Sequence, residues 1–131
     1  MKKKSPTWYR KECVKKAKIK AKERDGYRCN YCGKVATGIQ MHGSHILPEG
    51  SYPLMSADPY NIIALCAEHH VGGSNSYMNK ALESWHSHPA KFGLWFNEKF
   101  PGRLKELYAM NEEKKKHLIN WEKEYQSLTI K

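Results

Sequence analysis

The apolar positions of this chain change period along its length. Trp8, Val14, Ala17 and Ala21 form a narrow stripe at helical spacing, with lysines spread around the remaining faces. Ser5 suits an N-cap, Pro6 the first helical position and Gly26 the residue after a helix end, so the pattern predicts a helix over 6–24. Residues 40–47 read as a strand and residues 61–65 as its antiparallel partner. The connection between them holds Pro48, Ser51, Pro53, Ser56 and Pro59 and is long for a hairpin, which points to a functional loop.

Helical spacing returns in the second half. Ser74 is placed to cap a helix over 75–86, with Tyr77, Met78, Ala81, Leu82 and Trp85 on one face. His88-Pro89 opens a further helix to about Phe100, and Pro101-Gly102 breaks it. Residues 103–128 keep the spacing through Leu104, Leu107, Leu118, Trp121 and Tyr125, with Asn111 as the expected cap of the last helix. The sum is an α+β chain with one short antiparallel hairpin flanked by helices. At 131 residues and 40% hydrophobic content it is sized for one domain with a modest core.

Cysteine spacing adds a staple to that core. Cys29-Asn30-Tyr31-Cys32 brings two thiolates to one side of a turn, and Cys66-Ala67-Glu68-His69 repeats the spacing with an imidazole at its end. Three sulfurs and one nitrogen make a closed tetrahedral site for structural Zn²⁺ at Cys29, Cys32, Cys66 and His69. Cys13 is left over as a small packing residue. Metal-type spacing with a leftover thiol fits a reducing compartment better than a disulfide framework.

Charge then points to a partner. The formal net charge is +10, and residues 1–24 hold eleven Lys or Arg against two Glu. Such segregation favours a polyanion, most simply DNA, with Lys15, Lys16, Lys18, Lys20 and Lys22 on a weakly docked helix facing the phosphate backbone. The longest apolar run, residues 62–67, is too short to span a membrane, and no secretory signal opens the chain. The expectation is a soluble cytoplasmic protein, in the host cytoplasm if phage-encoded. A monomer and a homodimer both remain open.

The combination of residues 25–34 (Asp-Gly-Tyr-Arg-Cys-x-x-Cys-Gly-Lys), His45-Ile46 and residues 61–70 (Asn-Ile-x-x-Leu-Cys-x-x-His-His) resembles the HNH endonucleases. The likeness covers about residues 25–77. The stretch around Ser84-Trp85-His86-Ser87-His88-Pro89 looks, more loosely, like phage Rap-type recombination endonucleases. The resemblance implies a ββα-metal core at 25–100, a basic N-terminal helix or arm at 1–24 and a C-terminal helical extension at 101–131.

Phosphodiester hydrolysis needs a base for the attacking water and positive charge for the transition state. By resemblance His45 is the general base, and His70 helps to hold a catalytic Mg²⁺ or Mn²⁺. Asn61 either ligates that ion or orients His45, and His86 is a further candidate ligand. Two departures stand out. Ser44 replaces the metal-binding Asp common before the catalytic His, which makes His42, His86 and His88 candidates to compensate. Gly72-Gly73 interrupts the place where many such sequences run into a helix. The leading reading is therefore a metal-dependent DNA endonuclease. The alternative is a zinc-stabilised DNA-binding protein with an inactive HNH core.

Overall fold

Ser5 and Pro6 start the first helix, as their chemistry requires. In the computed structural model, which describes residues 4–71 and 84–129, α1 spans Pro6–Arg24. The Ser5 Oγ accepts from the Trp8 amide at 3.1 Å. Lys22 and Arg24 lie in the last turn, where cations favour the helix dipole. Gly26 and Tyr27 then turn the chain at positive φ, 67° and 53°.

The expectation that α1 docks weakly is corrected. Cys13, Val14, Ala17 and Ala21 are all buried, and α1 packs on both the hairpin and the last helix. The inward residues are small, so the helix axis comes close to its neighbours. Gly43 permits the closest approach: a Cβ there would lie 2.8 Å from both Cβ and Cγ of Lys18.

The hairpin pairs β1 (Met41–His45) with β2 (Ile62–Cys66), antiparallel, from Met41 opposite Cys66 to His45 opposite Ile62. β1 is shorter at both ends than the sequence pattern suggests. A 3₁₀ turn, Gly38–Gln40, precedes it. Beyond His45, Ile46 N still donates in register to the Asn61 carbonyl, but Leu47 N turns to the side-chain Oδ1 of Asn61. All five β2 residues are buried, which explains their continuous apolar run.

Directly after β2 comes α2 (Ala67–Val71). Residues 75–83 of the expected helix over 75–86 lie outside the described ones, and its far end at Trp85 and His86 is turn. α3 (Pro89–Lys99) follows and turns Phe92 and Phe96, one helical turn apart, into the core. Phe96 joins Met41, Leu47, Met55 and Leu65 in one cluster, and Phe92 stacks on Tyr31.

The extension begins with α4 (Arg103–Lys114), which buries Leu107 and Asn111. Asn111 therefore does not cap the last helix, as expected from sequence; it lies inside α4. The cap of α5 (Trp121–Thr129) is Asn120, whose Oδ1 accepts from Lys123 N at 3.1 Å. α5 packs on α1 through Tyr125, against Trp8 and Tyr9 at 5.6 and 5.5 Å between ring centroids. The Cys13 thiol donates to the Trp121 carbonyl at 3.6 Å, so this cysteine is a packing residue at that joint. Lys115 and Lys116 pair locally with Glu112 and Glu113, whereas Lys114 reaches Asp58 at 3.5 Å. Among the described residues no helix is long and apolar enough to cross a membrane.

Candidate metal centre and histidine cleft

The two Cys-x-x-Cys/His turns meet because each is braced locally. Cys29 N donates to the Lys34 carbonyl, Gly33 N donates to the Cys29 carbonyl, and Gly33 takes φ 81° to close the first turn. The second pair straddles the β2–α2 junction, so Cys66 leaves the strand and His69 returns over it from the helix. Asp25 ties the pieces together: its carboxylate accepts from Asn30 Nδ2 and from Ala64 N, both at 2.9 Å. Burial opposes that charge, but the bonds from Arg24, Ala64 and Asn30 outweigh it and hold the carboxyl below its usual range.

The ligand atoms of Cys29, Cys32, Cys66 and His69 all lie within 4.8 Å of one another. Cys32 and Cys66 sulfurs stand 3.8 Å apart, and Cys66 Sγ lies 3.2 Å from His69 Nδ1. A Zn–S bond of about 2.3 Å places two sulfurs of a tetrahedron about 3.8 Å apart, so the spacing fits zinc and is far too long for a disulfide. Burial, together with the neighbouring Cys29 and Cys32 sulfurs, pushes Cys66 up to about 12. Three thiolates do not share this space comfortably without a cation between them. The set can hold a metal such as zinc, as the spacing implied. Tyr31 covers it, 4.8 Å from the His69 ring and 4.5 Å from Phe92 between ring centroids.

One residue past His69 the chain enters a second cluster. Trp85 N and His86 N donate to the carbonyls of His69 and His70, which lays residues 85–86 beside α2. The His70 ring then stands 4.6 Å from His86 and 5.1 Å from His42 between centroids. Carbonyl acceptors assign the tautomers. His42 Nε2 lies 3.0 Å from the Ile39 carbonyl and must carry its proton toward it. His42 Nδ1 is then an acceptor, so at 2.9 Å it receives the proton of His70 Nδ1. That leaves His70 Nε2 with a lone pair. Burial, with His86 and His42 beside it, pushes His70 down to about 3 and keeps this ring neutral.

His45 is fixed by the same logic. Its Nε2 lies 2.7 Å from the Ser56 carbonyl and donates to it. Nδ1 is the bare nitrogen. Burial lowers the pKa of His45, partly offset by the Ser56 carbonyl. His45, His70 and His86 line one cleft of about 460 Å³ together with Lys18, Gly43 and Glu49.

Asn61 is 0% exposed, and its amide is bonded within the preceding loop: Oδ1 accepts from Leu47 N, and Nδ2 donates to the carbonyls of Leu47 and Met55. It pins the 46–61 loop, and that loop delivers the Ser56 carbonyl to His45.

Ser44 is 2% exposed within β1 and offers the cleft no ligand. His88 lies at the start of α3, with Nδ1 2.8 Å from Ser87 Oγ and outside the histidine cluster. Of the five lysines, Lys15 pairs with Glu12 and Lys16 lies over the Tyr125 ring at 5.1 Å, while Lys18 lines the cleft. Lys22 and Lys18 line an adjoining hollow, and Lys20 is half-buried on α1. Sequence reasoning missed His42 as the orienting partner and Gly43 as the contact point. A glycine inside a predicted strand was the available signal for the second.

No family model, curated protein or solved structure matches this chain.

Proposed function

We propose that this protein is a divalent-metal-dependent DNA endonuclease of the HNH type, acting on duplex or branched DNA. The single observation that carries the reading is His45. A half-buried imidazole, its pKa lowered by burial, holds Nε2 on the Ser56 carbonyl, leaves Nδ1 outside that bond, and lines a cleft with His70 and His86. That is the state a general base needs before it takes a proton from water.

His70, through Nε2, and His86 would hold the catalytic ion, with water filling its remaining positions. When bound, such an ion supplies Lewis-acid stabilisation of the phosphate charge. Imidazole donors hold Mn²⁺ better than Mg²⁺, and later first-row ions better still. His45 accepts the water proton at Nδ1 as the new P–O bond forms. The Asn61-pinned loop keeps the imidazole from rotating. The Cys29, Cys32, Cys66 and His69 site would hold zinc and join the β1–β2 hairpin to α2, so that His45 and His70 face one cleft. Net charge +10 supports a polyanionic substrate.

The decisive experiment incubates zinc-loaded protein with supercoiled plasmid and Mn²⁺ or Mg²⁺, beside labelled duplex, flap and four-way junction DNA. The wild type nicks or cuts, and His45→Ala loses roughly 10²–10⁴ in rate while keeping zinc content and DNA affinity. Full cleavage by folded His45→Ala protein would overturn the mechanism. The buried Ser44, in place of a metal-binding carboxylate, favours a second reading: a DNA-binding protein with an inactive core. A salt-dependent gel shift without nicking at any metal concentration selects it.

A further inference from the structure

We infer that Lys18 is a substrate-contacting residue, which binds a non-bridging oxygen of the phosphate held in the histidine cleft. It does so apart from the general attraction of α1 for DNA. This inference rests on the nuclease reading for its rate measurement, and stands on its own for phosphate binding.

Three observations converge on it. The first is position. Lys18 lines the 460 Å³ cleft with His45, His70 and His86, and also lines an adjoining hollow of about 530 Å³ with Lys22, Ile39 and His42. The two hollows share Lys18, Gly43 and His70, so a strand of polyanion laid across them meets Lys18 midway. The second is forced proximity. Gly43 has no side chain, and Lys18 fills that space so closely that a Cβ would meet it at 2.8 Å. The stem of Lys18 is thereby held against β1, two residues from His45.

The third observation is charge. Glu49 is the acidic residue that lines the cleft, and it is already paired with Arg10 at 3.1 Å. Lys18 makes no ion pair of its own among the described residues. Among the other α1 lysines Lys15 is paired and Lys16 rests on an aromatic ring, and Lys18 is the lysine that lines the histidine cleft. Lys18 is thus a cation in a cleft lined by His45, His70 and His86, whose one lining carboxylate is held by Arg10. A phosphodiester supplies an anion for it.

In the reaction, the water oxygen forms a bond to phosphorus while the bond to the leaving oxygen breaks. The water proton passes to His45 Nδ1, and the leaving oxygen takes a proton from solvent. Negative charge grows on the non-bridging oxygens, where the Lys18 ammonium hydrogen-bonds more strongly than to the ground state.

The test compares Lys18→Met, Lys18→Arg and Lys116→Gln, the last a distant lysine paired with Glu113. Zinc content and circular dichroism first confirm folding. Single-turnover cleavage at saturating plasmid should fall roughly 10²-fold in Lys18→Met, the usual scale for one lost oxyanion donor. DNA affinity should change by less than about threefold, since one phosphate contact is a small part of such binding. Lys18→Arg should recover much of the rate, and Lys116→Gln should match the wild type. In parallel, inorganic phosphate is titrated into metal-free-cleft, zinc-loaded protein and the Gly43 amide is followed by NMR. A saturable shift in the wild type that disappears in Lys18→Met supports the assignment even if no DNA is cut, which would sink the nuclease reading alone. Equal phosphate shifts in both proteins, or wild-type cleavage by Lys18→Met, would overturn it.

Discussion

His70 Nδ1 and His42 Nδ1 stand 2.9 Å apart, and with both rings neutral His70 is the donor, which leaves its Nε2 as the bare nitrogen. His42 is itself oriented by the Ile39 carbonyl at 3.0 Å. Two side chains 28 positions apart thus act as a relay of orientation. Replacing His42 by Phe keeps a ring of similar size and removes the acceptor. Loss of such an outer partner typically costs 10–100-fold in metal affinity or activity. In His42→Phe, cleavage at limiting Mn²⁺ should fall by roughly that factor, and raised Mn²⁺ should restore part of it, with zinc content unchanged. Wild-type metal dependence in His42→Phe would reduce the contact to packing.

The pH profile follows from the His45 ring. Burial disfavours its charged form and lowers its pKa. In the proposed reaction the base works only when neutral, so activity would be retained above that lowered pKa and lost as pH falls through it. The acid limb of kcat/KM should therefore lie below the ordinary histidine value of about 6.5. A limb above 6.5 in protein of full zinc content would assign the titration to another group.

The Cys/His cluster should carry one Zn²⁺ per chain, measured by elemental analysis of native protein. Cys32→Ser removes a ligand whose sulfur lies 3.8 Å from that of Cys66. Structural zinc supplies roughly 10–16 kcal/mol in small peptides, so the variant should lose zinc and cooperative unfolding together. Native protein without zinc would refute the site.

Gly43→Ala probes the docking of α1. The added Cβ would meet Lys18 Cβ and Cγ at 2.8 Å and its Cα at 3.1 Å, so the helix backbone must shift. Overpacking of this kind costs about 1–3 kcal/mol, read from denaturant unfolding at constant free zinc. An unchanged midpoint would mean that α1 rides loosely on the hairpin.

Residues 1–22 are a poor target for truncation, although their charge invites it. Cys13, Val14, Ala17 and Ala21 are buried, so deletion removes part of the core along with the lysines. Point substitution separates the two effects.

The sequence by itself picked out the four residues that could hold a metal, and the starts of two helices. Cys29 with Cys32, and Cys66 with His69, are each three residues apart, and that spacing alone brings two donors to one side of a turn. Ser5-Pro6 and Pro89 marked the starts of α1 and α3 for an equally local reason, the shape of one helical turn. Tertiary structure alone decided the rest. Asn61 is occupied by Leu47 and Met55, residues 14 and 6 positions away, and so becomes a loop pin. His42 becomes an orienting partner only because α2 crosses β1, and Lys18 enters the cleft only because Gly43 lets α1 settle against the strand. Ligand spacing and capping are properties of a few consecutive residues. Burial, tautomer and electrostatic surroundings are set by whichever distant segments the core brings together.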